Sequence, residues 1–190
     1  TTGTGKSTLA HLLARLYDPR AGEILLDGVP LPDLSLSQLR SSIGVVPQEA
    51  FLFSDTIREN LSMGIDADPE NALERIRGAA GVVQLDETIQ GFPSAYETML
   101  GERGVNLSGG QKQRATLARA IAREPRLLIL DDALSAVDTH TEAEILNGLR
   151  DILRDRTSVV VSHRVSAVMA ADQIVVLEDG RVAELGTHAE

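Results

Sequence analysis

Near its start the chain carries Gly3-Thr4-Gly5-Lys6-Ser7-Thr8, directly ahead of a run of regularly spaced leucines. Glycines let successive backbone N–H groups turn inward into a concave nest for an anion. A helix beginning there adds partial positive charge at the same place. In that setting Lys6 would reach the outer phosphates of a nucleotide, and the Ser7 hydroxyl would ligate Mg2+. The complete phosphate-loop pattern, G-x-x-x-x-G-K-S/T, has one further Gly just before Thr1, so the chain is expected to open inside that loop.

A second set of acids closes the apolar run Leu127-Leu128-Ile129-Leu130 as Asp131-Asp132. Ligands of α/β sheets sit at the carboxyl ends of strands, where this pair falls. Asp131 is suited to orient Mg2+ through water, as the acid of a P-loop enzyme does. An isolated Asp pair after a strand also commonly does no more than cap the next turn. The third set, Leu107-Ser108-Gly109-Gly110-Gln111-Lys112-Gln113-Arg114, is another Gly-rich entry to a helix and hence another anion-binding start. One small domain seldom needs two such elements for a single nucleotide. Two copies arranged head to tail would use both, each nucleotide lying between the loop of one copy and the Ser-Gly-Gly of the other.

These groups need a scaffold, and the hydrophobic pattern supplies one. Leu9, Leu12, Leu13 and Leu16 recur at helical spacing until Asp18-Pro19. Residues 22–31 read as a hairpin turning at Asp27-Gly28. The β-branched run 43–46, ending at Pro47, reads as a buried strand. Residues 71–80 read as a helix, with breaks at Gly91-Phe92-Pro93 and at residues 101–104. Beyond lie helix 111–123, strand 127–130, helix 141–153, strand 158–161, helix 165–171 and a last hairpin around Asp179-Gly180. Strands alternating with helices imply a parallel sheet covered on both faces, with the mostly helical middle inserted into it.

Composition narrows the partners. The chain has 190 residues, 43% hydrophobic and 24% charged, enough for the core of one ordinary domain. A net charge of −10 argues against a nucleic-acid face. Without Cys there is neither a disulfide nor a thiolate metal site, which fits a reducing compartment. No apolar run approaches the roughly 18–20 residues that span a bilayer, and the start lacks the apolar core of a signal peptide. The chain therefore reads as soluble, with any membrane link lying elsewhere.

Taken in order, these segments resemble the ABC ATPase family over essentially the whole chain. The family's markers are the phosphate loop at residues 3–8, a Q-loop at Gln48 after Val45-Val46-Pro47, and the signature at residues 107–111. They continue with the acidic strand 127–131, a D-loop at Ser135-Ala136-Val137-Asp138 and an H-loop at Ser162-His163-Arg164. The resemblance implies a mostly parallel, RecA-like P-loop sheet flanked by helices, with an inserted helical subdomain carrying the signature. Residues 1–50 and 120–190 would form the core and residues 51–119 the helical subdomain. It implies ATP and Mg2+ as cofactors. ATP would be bound by Gly3, Thr4, Gly5, Lys6, Ser7 and Thr8, and from a second copy by Ser108, Gly109, Gly110 and Gln111. Ser7, Gln48 and Asp131 would hold Mg2+. Gln48 would also contact the attacking water, His163 would hold the γ-phosphate, and Asp132 would polarise the water. His11, His140 and His188 match no motif.

Phe51-Leu52-Phe53-Ser54-Asp55-Thr56-Ile57-Arg58-Glu59-Asn60 and Gly101-Glu102-Arg103-Gly104 resemble the exporter branch, the latter its X-loop, which touches transmembrane domains. The implied setting is the cytoplasmic face of the cell membrane, with transmembrane domains on the same full-length chain and a second nucleotide-binding domain as partner. One departure stands out. Active family members ordinarily have Glu after the acidic strand, and here that residue is Asp132. About 1 Å of misplacement at a reacting centre can cost on the order of 100-fold. A slow site of its own beside an intact signature, which could complete a competent site on a partner chain that carries Glu, favours a heterodimer over a homodimer. Two other readings stand beside the transport motor: a soluble ABC ATPase of DNA repair or ribosomes, and a regulatory subunit that hydrolyses little. The acidic charge and the short distance between the first and third motifs speak against the repair enzymes.

Overall fold

The computed structural model describes residues 4–101 and 104–188. Helix α1 (Lys6–Leu13) starts directly behind Gly5, which holds φ 97°, a left-handed conformation that suits glycine. The leucine spacing predicts a helix reaching Leu16, but α1 stops at Leu13. Arg15 turns left-handed at φ 49°, and the Leu16 N–H donates to the His11 carbonyl at 3.0 Å while the Arg15 N–H donates to that of Leu12 at 2.9 Å. This is a Schellman closure built without glycine. It is held by the Arg15 guanidinium, whose Nη1 donates to the carbonyls of Leu31 (2.9 Å) and Leu34 (3.2 Å). Leu16 is consequently exposed.

Strands β1 (Leu25–Leu26) and β2 (Val29–Pro30) form the expected hairpin, with Asp27 at φ 51° and Gly28 at φ 80°. Two consecutive positive φ values match the twist of the strands they join. Helix α2 (Leu36–Ser42) opens on a Ser35/Gln38 capping box and feeds β3 (Ile43–Val46). The middle of the chain holds α3 (Ile57–Ser62), α4 (Pro69–Val82), α5 (Asp86–Gln90) and α6 (Gly109–Ala122). Pro69 occupies the first turn of α4, where its missing N–H costs nothing, and the Asp68 carboxylate caps that turn. Tyr96 donates to Asp86 at 2.6 Å, and burial followed by this bond pushes its phenol well above the ordinary range. Then follow β4 (Leu127–Asp131), α7 (Thr139–Arg154), β5 (Thr157–Val161), the single turn α8 (Val165–Val168), and the hairpin β6 (Ile174–Glu178) and β7 (Arg181–Gly186).

The parallel sheet has the order β3-β4-β5, pairing Val46 with Leu130 and Asp131 with Val161. Every residue of β4 is buried, and its alternation divides the core. Leu128 and Leu130 join Ile57, Leu61, Ile76, Ile145 and Leu149 on one face. Leu127 and Ile129 join Ala10, Leu31, Leu39 and Ile43 on the other. Each such aliphatic side chain contributes about 1.5–3 kcal/mol by leaving water. The strand thus binds the α3–α7 helices to one side of the sheet and α1, α2 and the first hairpin to the other. Residues 158–161 of β5 are only half-buried, because β5 is the edge of the described sheet. Helix α6 is pinned at its far end, where Arg123 donates to the carbonyls of Ile43 (3.3 Å) and Arg40 (2.6 Å).

Candidate functional site

Parallel strands deliver their next residues to one edge of the sheet, and the chemically able side chains follow the strands there. Gln48 lies two residues beyond β3, Asp131 ends β4 with Asp132 after it, and Ser162-His163 follow β5. Helix α1, with Lys6 and Ser7 in its first turn, packs on β4 and β5. Lys6 Nζ donates to Thr4 Oγ1 at 3.1 Å, and Thr4 itself is buried. Ser7 is half-buried, and Thr8 and Gln48 are exposed. Gly3 lies outside the described residues, as do Glu102 and Arg103 of the segment 101–104.

Asp131 is 3% exposed, and its Oδ1 is buried without a hydrogen-bond partner. An orphaned carboxylate oxygen is expensive in a protein interior unless a cation or water meets it. Among the described residues no group of three His, Cys, Asp or Glu could hold a metal alone. That combination fits Mg2+, which takes one or two protein oxygens and completes its shell with water and substrate phosphate.

Asp132 turns left-handed at φ 45°, its N–H donating to the Val161 carbonyl at 2.9 Å, so the peptide is still tied to β5. Its Oδ1 lies 2.9 Å from His163 Nδ1. Asp132 is largely covered, while the His163 side chain is 63% exposed. The structure therefore brings Asp132 and His163 into direct contact.

It places the signature elsewhere. Ser108 caps α6: its Oγ accepts from the Gln111 N–H at 3.2 Å, and Gln111 Oε1 accepts from the Ser108 N–H at 2.8 Å. Ser108 and Gly109 are exposed, and Gly110 packs on the backbone of Ala136. Helix α6 rests on α3, α4 and β3, whereas α1 rests on β4 and β5. Two groups escaped the sequence reading. Glu142, in the first turn of α7, is buried and paired with Arg164. Gln113 is buried against the loop after β4. The signal for Glu142 was its amphipathic register, which turns the 142, 145 and 149 positions of α7 to one buried face.

Residues 1–135 match the ABC transporter family. The chain is 50% identical over its whole length to an uncharacterised ABC transporter ATP-binding protein of Bacillus subtilis (strain 168), YknU, and 46% identical to the ATP-dependent lipid A-core flippase of Hahella chejuensis (strain KCTC 2396). It covers 32% of the length of each. A solved structure of a bacterial Atm1-family ABC exporter with ATP bound superimposes with a TM-score of 0.91 at 41% identity, covering all of this chain and 32% of that one.

Proposed function

The chain belongs to the ABC transporter family, and on that premise we propose that it is the ATP-binding and hydrolysing motor domain of a membrane exporter. The buried, unpartnered Oδ1 of Asp131 beside the Asp132–His163 contact carries this reading, because it sets a cation seat next to an acid–imidazole pair at one sheet edge. The relatives named as a flippase and an exporter support the transport setting.

In this mechanism the backbone N–H groups of Thr4 and Gly5 hold phosphate oxygens, Gly3 belongs to the same motif by its place in the sequence, and Lys6 adds its charge to the outer phosphates. Ser7, Asp131 and Gln48 would hold Mg2+, with Thr8 completing the motif. Held there, the ion would supply positive charge against the phosphates. Asp132 polarises the attacking water and fixes the His163 ring by accepting from Nδ1–H, which turns Nε2 over to the γ-phosphate. Ser108 and Gly109 are exposed and Gly110 and Gln111 half-buried, and the ATP that these four serve lies on a second nucleotide-binding domain. A partner carrying Glu at the position of Asp132 makes the assembly a heterodimer with one slow site.

Residues 51–119 act as a helical subdomain that carries the signature. The transmembrane domains, on the same full-length chain, meet the face at Phe53, Arg58, Met63 and Leu73, where an open groove of about 870 Å³ lies. Phe51 and Phe53, both exposed and stacked edge to face at 4.9 Å, border that face with apolar surface. The domain works at the cytoplasmic face of the membrane.

The test is ATP turnover by the full-length chain in lipid vesicles without the Glu-bearing partner, so that only sites built on Lys6, Asp132 and His163 are counted. Lys6→Ala and His163→Ala should each lower it by at least about 100-fold. A wild-type chain that neither binds nor hydrolyses ATP, or variants as fast as wild type, would sink the reading. Asp132 supports one other reading, a regulatory ATP-binding half with little turnover, for which wild-type binding without hydrolysis is the mark.

A further inference from the structure

Residues 135–138 lie in the connection between β4 and α7, and side chains from two sides grip them. From α6, Gln113 uses both ends of its amide: Nε2 donates to Ser135 Oγ at 2.8 Å, and Oε1 accepts from the Ala136 N–H at 2.7 Å. Gln113 is 5% exposed, so its amide depends on these two bonds rather than on bulk water. One turn earlier on the same helix face, a Cβ added to Gly110 would lie 2.8 Å from the Ala136 carbonyl oxygen, so the loop lies directly on the signature end of α6. On the opposite side Arg164, the neighbour of His163, donates to the carbonyls of Ser135 (3.2 Å) and Val137 (3.4 Å) and pairs with buried Glu142. The loop is joined to the catalytic carboxylate as well, since the Ser135 N–H donates to the Asp132 carbonyl at 3.1 Å.

We infer that Gln113 is a positioning residue that fixes Asp132 relative to the start of α6. The contacts run without a gap from the signature turn through Gln113 to Ser135 and Ala136, then to Asp132 and His163. The two ends of this path serve different nucleotides in the head-to-tail arrangement proposed above, on which this inference rests. A displacement of the signature by the partner's ATP is therefore delivered to the chain's own Asp132, and Gln113 is the link that carries it. A buried side chain with both polar ends bonded to one loop has two discrete outcomes, held or released, which is what such coupling requires.

The experiment uses the full-length chain in lipid vesicles and compares Gln113→Leu, Ser135→Ala and the double variant. Leu keeps the volume of Gln113 and removes both bonds, while Ser135→Ala removes one bond at an exposed position. Turnover is counted per nucleotide-binding site, so loss of folded protein does not enter. Gln113→Leu should lower kcat about 10-fold, within the range that sub-ångström misplacement produces, and leave the KM for ATP within about two-fold. Ser135→Ala should lower kcat about three-fold, and the double variant should be no slower than Gln113→Leu, because the two substitutions delete a shared bond. An unchanged kcat per site, a loss of kcat matched by a rise in KM, or effects that simply multiply would each overturn the link. If wild-type turnover is absent, the functional reading and the link fall together; if wild-type turnover is normal, only the link is at stake.

Discussion

Asp132 combines a left-handed backbone, φ 45°, with a carboxylate 2.9 Å from His163 Nδ1. The two facts pull in opposite directions. Aspartate is among the residues that tolerate this conformation, because its short polar arm can bond locally, whereas longer side chains meet the full steric cost. Yet that same short arm is spent on reaching His163, and under the proposed function a side chain one methylene longer would extend further toward the attacking water. Asp132→Glu should therefore raise ATP turnover of the full-length chain by about 10-fold or more. The same substitution should lower thermal stability by up to about 1 kcal/mol, a fall of about 2–4 °C in Tm for a domain of this size. Turnover and a melting curve on one preparation check both signs. A faster and more stable variant would mean that the backbone at this position is not strained, and a slower one that the Asp132–His163 contact itself sets the rate.

Helix α7 is capped by Asp138, whose carboxylate accepts from the Thr141 N–H at 3.0 Å. That backbone bond, then the Thr141 side chain, hold the carboxyl below its ordinary value of 3.8. A depressed folded-state pKa contributes stability that is complete above 3.8 and is lost as pH falls through the lower folded value. Asp138→Asn keeps the capping oxygen and removes the charge. The urea midpoint of the wild type should thus exceed that of the variant near neutrality, and the gap should close below pH 3.8. A gap that persists in acid would show that the charge is not what the cap uses. The sequence reading begins this helix at residue 141 and misses the cap at Asp138, whereas both hairpin turns were legible as Asp-Gly pairs. The end of α1 was not, because Arg15 takes the left-handed place usually given to glycine and is held there by two carbonyls from residues 31 and 34. Long-range partners of that sort leave no local mark. The same holds at the site. Glycine loops and the Asp pair announced themselves by type and spacing, but Gln113 and Glu142 acquire their roles only from what folds against them.

At the scale of the whole domain, one hydrophobic cluster runs from Ile57 and Ile76 in the helical middle, through Leu128 and Leu130 of the sheet, to Ile145 and Leu149 of α7. Contiguous packing of this kind makes the helical middle and the sheet unfold as a unit. Ile76→Ala should then cost about 2–5 kcal/mol and shift a single transition. Circular dichroism follows the helices, and tyrosine fluorescence of a Tyr17→Phe background follows buried Tyr96, the chain having no Trp. Separate transitions by the two probes would show instead that the middle melts alone. Helix α6 crosses this cluster with its far end tied by Arg123 to the backbone of Arg40 and Ile43, and its near end presenting Ser108 to solvent. It is in effect a lever with a fulcrum. Its 14 residues make an arm of about 21 Å, and a tilt of about 5° about the Arg123 end swings Ser108 through about 2 Å. A barely visible rock at the base of the rod is therefore enough to seat or unseat whatever the tip touches.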